Sequence, residues 1–187
     1  MQIVRRCLQL LDLTVLVWRR GKRMAFWRRR PRGLPATIYS ETLLDAFVDE
    51  GSAEDAQSES LFGFEPPYSP KVLKFLWRFR AACVIYCCFR RTSDYEGQER
   101  LDLVHEKVLL RDVDFDRKSM AEFMSVAMTD IDLLVDSDGP PISWAREKIK
   151  ELGRDESNPL ELAEFCFFWL AIIAACGEAM EEISLGK

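Results

Sequence analysis

Histidine is nearly missing from this sequence: His105 is the only one among 187 residues. That excludes a two-histidine metal site, and a cysteine–histidine nucleophile would need His105 to meet one of six cysteines that all lie in apolar surroundings. There is no glycine-rich phosphate loop, no acidic run with EF-hand spacing and no internal repeat. The longest apolar run, the twelve residues from Phe165 to Cys176, falls short of the ~20 that a membrane-spanning helix needs. Glutamates flank that run on both sides, which predicts a buried core helix. Lys and Arg are also absent from Gly33 to Pro70, a stretch that carries eight acids between Glu41 and Glu65.

What is present is a strong division of charge. Residues 1–33 hold ten Lys or Arg and one acid, Asp12, whereas residues 34–187 hold sixteen basic and thirty acidic side chains. The net charge of −5 thus hides a basic arm joined to an acidic body. Such asymmetry is the footprint of a segment that binds phosphate on nucleic acid or lipid, or that folds back on its own acidic partner. Within the arm, Ile3, Leu10, Leu13 and Val17 share one face of an amphipathic helix of about four turns. Trp18, Phe26 and Trp27 then interleave with Arg19, Arg20, Lys22, Arg23, Arg28, Arg29, Arg30 and Arg32. These cations are the candidate phosphate contacts, and the rings suit either the headgroup depth of a bilayer or stacking on bases. An apolar face plus a polybasic tail supplies the two signals that stable membrane anchoring requires, which favours an anionic membrane surface over nucleic acid. Asp12 and the lack of a small-residue cleavage site argue against export; an Arg-rich mitochondrial presequence is opposed by the two tryptophans and the low serine content.

The cysteines cluster conspicuously in "FLWRFRAACVIYCCFRR", residues 75–91. On a helix Cys83 and Cys87 share a face while Cys88 points ~100° away, a poor start for tetrahedral zinc, so no metal is expected here. Cys87 and Cys88 beside Arg90 and Arg91 form a candidate S-acylation site, in competition with burial as small hydrophobic side chains. Three groups of aspartates, Asp112/Asp114/Asp116, Asp130/Asp132 and Asp136/Asp138, offer oxygen ligands for a divalent ion and with them a metal-dependent enzyme; as turn and cap residues they have a simpler use.

Local signals predict a mainly α-helical domain. Ser40 and Gly51 bracket a short helix; Ser69 and Pro70 begin a second, where proline at the first helical position loses no needed N–H. That helix changes from one basic face to apolar on all sides, so its second half is buried. Alternation of Val113 and Phe115 with aspartates predicts one or two short β-strands near 100–115. Asp116 caps the next helix, Ser143 a charged one that Gly153 stops, and Asn158 with Pro159 the last. The expected architecture is a basic N-terminal arm over residues 1–35 and an acidic helical domain over 36–187 with a flexible linker at about 50–62. The expected function is that of a non-enzymatic interaction protein without cofactor, in the manner of small viral matrix or accessory proteins and peripheral adaptors. Residues 1–33 bind an anionic membrane surface or, alternatively, nucleic acid. The helical body is free to meet a protein partner or a second copy, and the expected location is cytoplasmic with peripheral membrane association, the alternatives being nuclear or mitochondrial.

Overall fold

A computed structural model describes residues 36–90, 95–112 and 114–185, with side chains placed over 39–90, 98–112 and 114–181. Among the described residues the chain is helical without strands. Helices α1 (Ala36–Leu44) and α2 (Glu50–Ala56) are joined by one π-helical turn, Asp45–Asp49. They are followed by α3 (Pro70–Phe89), α4 (Tyr95–Arg111), α5 (Arg117–Asp136), α6 (Ile142–Glu151) and α7 (Pro159–Leu185).

The organising element is α3. It starts as its sequence dictates: the Ser69 side chain accepts a hydrogen bond from the Val72 N–H at 3.3 Å, with Pro70 in the first turn. From Phe79 to Cys88 every residue is buried, since α1, the π turn, α2, α4, α5 and α7 pack around it. An aromatic cluster joins it to α6 and α7: Phe79 lies 4.6 Å from Trp169 and 6.1 Å from Trp144 between ring centroids, and Phe75 lies 6.0 Å from Trp169. Helices α3 and α7 are therefore the packing partners that their composition suggests, and they run parallel, with Phe75 against Phe165 near one end and Cys87 against Ile173 further along. Helix α4 runs back against α3, so that Asp112 returns to Arg78 at 2.7 Å. Helix α1 runs alongside α4, with Glu41 on Lys107 at 2.6 Å and Asp45 on Arg111. The start of α1, the start of α4 and the ends of α3 and α7 consequently lie at the same end of the bundle.

Several local expectations need correction. The segment expected to hold short β-strands near 100–115 is α4 down to Arg111. Leu101, Val104 and Val108 recur at helical spacing and are buried, while Asp112 and Asp114 alternate because they reach different cations of α3, Arg78 and Lys74. Ser40 is not a cap, because helix begins earlier, at Ala36; Ser40 is buried, its hydroxyl facing the Arg100 carbonyl at 3.4 Å. Gly51 does not stop a helix either. It lies inside α2 under Arg80, where an added Cβ would come within 2.5 Å of the guanidinium.

The stretch expected as a flexible acidic linker at about 50–62 is helical as far as Ala56. It then packs: Leu61 and Phe64 pair through reciprocal backbone hydrogen bonds of 3.1 and 2.8 Å, and Phe62 between them is pressed edge-on to Phe165 and Phe168 at 4.9 and 5.0 Å. Gly63 makes this turn possible, with φ at +77° and Glu161 Oε2 only 2.1 Å from where a Cβ would stand. Downstream, Asp116 caps α5 as its sequence predicts, accepting from Ser119 N–H at 2.7 Å. Helix α6 begins at Ile142 after Pro141, so Ser143 lies within its first turn, and Gly153, at φ +96°, terminates it.

Candidate interaction surface

Five of the seven carboxylates that composition offered to a metal have a structural employment. Asp112 binds Arg78 at 2.7 Å, Asp114 binds Lys74 at 2.8 Å and Asp116 caps α5. Asp130 accepts from Lys148 at 2.9 Å, and Asp132 holds the Tyr86 hydroxyl, which contributes to raising that phenol's pKa behind the leading effect of burial. Among the described residues no three His, Cys, Asp or Glu side chains converge as a metal would require. His105 is partly buried on α4, and loss of water lowers its pKa, with Asp102 opposing.

The S-acylation site at Cys87 and Cys88 is overturned by burial: the two residues are 3% and 2% exposed. Cys87 Sγ faces the Ile173 carbonyl at 3.5 Å, and Cys176 on α7 shares a hydrogen bond with it. That bond, followed by desolvation, raises the Cys176 pKa, and desolvation raises those of Cys83 and, to about 12, Cys166. Protonated thiols enclosed by apolar side chains are poor nucleophiles, so these cysteines serve as small core residues. The proposed arm contacts Trp18, Arg19, Arg20, Lys22, Arg23, Phe26, Trp27, Arg28, Arg29, Arg30 and Arg32 lie outside the described residues.

Sequence reasoning missed the most deeply placed ion pair. Arg80, 8% exposed, donates to both carboxylate oxygens of Asp55 at 2.7 and 2.8 Å and to the Phe47 carbonyl at 3.1 Å, and its guanidinium lies 5.3 Å from the Phe168 ring. It clamps α3 to the π turn and α2. The available signal was an arginine placed where α3 becomes apolar on all sides, together with a glycine inside an acidic stretch.

The surface feature with the most chemical content is the outer face of α7. The helix is long and apolar enough to cross a membrane by length and composition, yet only 39% of the residues in its most apolar stretch are buried. Phe165, Trp169, Ile172 and Cys176 turn inward. On the opposite side Leu160, Phe167, Ala171 and Ala174 form a stripe at helical spacing, with Leu160 50% exposed and Ala174 open to solvent. Glu164 and Glu178 lie on this same face, and burial followed by the neighbouring Glu161 charge raises the Glu164 pKa. The stripe is thus apolar but interrupted by Glu164, between Leu160 and Phe167, and followed by Glu178. No family model, curated protein or solved structure matches this chain.

Proposed function

We propose that this chain is a non-enzymatic interaction protein whose basic, aromatic arm binds an anionic membrane surface and whose helical body carries that arm. The observation that supports this reading is the way the body disposes of its own charge. Lys74, Arg78, Arg80, Lys107, Arg111 and Lys148 each neutralise an acid of the same fold. The arm, by contrast, sets ten cations against Asp12 alone. Cations concentrated beyond any local need are suited to an external polyanion. Trp18, Phe26 and Trp27 among them favour a layered partner with an apolar depth beneath its phosphates.

Flotation of the full chain with phosphatidylserine-containing vesicles tests this. Each cation near such a surface contributes about 1 kcal/mol, so replacing Arg19, Arg23, Arg28 and Arg30 with glutamine weakens binding on the order of a thousand-fold, and added salt weakens it further. Vesicle binding that survives both changes overturns the assignment of the arm. Salt-sensitive RNA or DNA binding without vesicle binding transfers the same cations to nucleic acid.

A further inference from the structure

We infer that Cys87 of α3 and Cys176 of α7 form a reversible disulfide when the protein meets a hydroperoxide, tying the edge helix to the centre of the bundle. This goes beyond the membrane reading above and does not rest on it. Cys83, Cys87, Cys88, Cys166 and Cys176 are all buried thiols, but their positions differ. Cys87 Sγ faces the Ile173 carbonyl at 3.5 Å. Cys176 follows Ile173 by three positions on the same side of α7, close enough to share a hydrogen bond with Cys87. Cys88 points ~100° away from Cys87, and Cys83 lies one turn, about 6 Å, back along α3. Cys166 is about 15 Å away along α7, against the Pro141 carbonyl at 3.9 Å.

Burial rules out an acyl chain at Cys87 but not a bond to Cys176. Closing the bond draws two sulfurs from hydrogen-bond contact to about 2.0 Å and removes two hydrogens, so the product needs no more room than the pair it replaces. Burial instead sets the rate. The hydrogen bond with Cys87, followed by desolvation, holds the Cys176 thiol protonated, so reaction waits for α7 to lift from α3. That motion belongs to the helix with one side open to water, where Ala174 is exposed. One thiol of the opened pair then ionises and attacks a peroxide oxygen; the O–O bond breaks, leaving a sulfenic acid and, with the released proton, water. When the helices close, the second sulfur attacks the sulfenic sulfur, and the hydroxyl leaves with the second thiol's proton as water. Two thiols are oxidised to one disulfide while one peroxide is reduced to two waters.

The test exposes the full chain to hydrogen peroxide without denaturant, alkylates the remaining thiols in urea and maps the peptides by mass spectrometry. The expected product is a Cys87–Cys176 link within one molecule, reversed by dithiothreitol. It raises Tm by about 5–15 °C, because positions 87 and 176 enclose a long loop. Trypsin leaves Cys83, Cys87 and Cys88 on one peptide, so fragment ions of the linked peptide, which need no variant, locate the bond. Cys87→Ala and Cys176→Ala should each lose both the link and the rise in Tm, whereas Cys83→Ala and Cys88→Ala should keep them. Thiols that all remain alkylatable, oxidation that stops at sulfinic acid, or a bond placed at Cys83 or Cys88 overturns the inference. A link between two molecules does so too, as does one that forms only in urea beyond the unfolding midpoint, since it then belongs to the unfolded chain.

Discussion

Helices α3 and α7 carry the two longest apolar runs of the body, Ala81–Phe89 and Phe165–Cys176, and their surroundings differ. Helix α3 is enclosed on every face from Phe79 to Cys88, charged Arg80 included; α7 is enclosed on one side and leaves Leu160 and Ala174 in water. Composition therefore says how much apolar surface a helix offers, and neighbours decide how much of it is used. A helix at the centre of a bundle spends all of it on stability, while one at the edge retains a face for something else.

The comparison is broken most severely at Arg80. Asp55→Ala leaves a guanidinium buried without its counter-charge, at a cost of about 3–5 kcal/mol out of the ~5–15 that hold a domain folded. Urea denaturation should show this as a lowered midpoint, and Asp55→Leu combined with Arg80→Met should recover most of the loss, because two well-packed apolar groups need no partner. A double variant as unstable as Asp55→Ala would show that the pair supplies more than charge compensation. A smaller effect at the same place comes from Gly51→Ala. Its Cβ meets Arg80 Nη1 at 2.5 Å, and the guanidinium is held by Asp55 and Phe47, so the crowding costs about 1–3 kcal/mol. In the Arg80→Met background that cost should shrink; an unchanged cost would place the strain in the backbone.

How much of this was legible in the sequence follows from what each signal measures. The start of α3 at Ser69–Pro70 and the cap at Asp116 were readable because capping involves residues within one turn of each other. The pairing of α3 with α7 was readable from two apolar runs in want of cover. The strand expected near 100–115 failed because aspartates that alternate to reach separate cations imitate a pleat. Gly51 was misread because a glycine required for the close approach of Arg80, 29 positions away, looks the same as one that ends a helix. The ion pair itself spans 25 positions and leaves no periodic trace. Cys87 and Cys88 were ambiguous for a similar reason, since their burial depends on Ile173 and Cys176 of a distant helix. On α7, hydropathy could not distinguish inner from outer face, since both are apolar and only the placement of neighbours separates Trp169 from Phe167.

On the open side of α7 substitutions should scarcely register. Ala174→Arg sits at an exposed helical position where arginine is a good helix former, so the denaturation midpoint should move by no more than about 0.5 kcal/mol. The same replacement at Ala82, fully buried in α3, should prevent folding. A large loss at Ala174 would mean that the outer stripe is part of the core.

The finest test of the boundary between the two environments is Glu164, on the outer face but half-buried. Burial, followed by the Glu161 charge, raises its folded-state pKa above the ordinary 4.5 of an unfolded chain. The folded protein therefore holds this proton more tightly than the unfolded one, so the favourable contribution is complete below about pH 4.5 and is lost as pH rises through the higher folded value. Partial exposure lets solvent screen the charge and keeps the effect small. Glu41, Asp114, Asp116 and Glu156 have lowered pKa values and act oppositely, their contributions being lost as pH falls through their folded values. The total pH dependence thus hides Glu164, but the difference between Glu164→Gln and the parent isolates it. The variant should gain stability relative to the parent as pH rises from about 4.5 towards neutrality, then keep a constant advantage. A difference that is flat across that range would mean that Glu164 is solvated as fully as the rest of the outer face, and the edge of the core would move inward to Phe165.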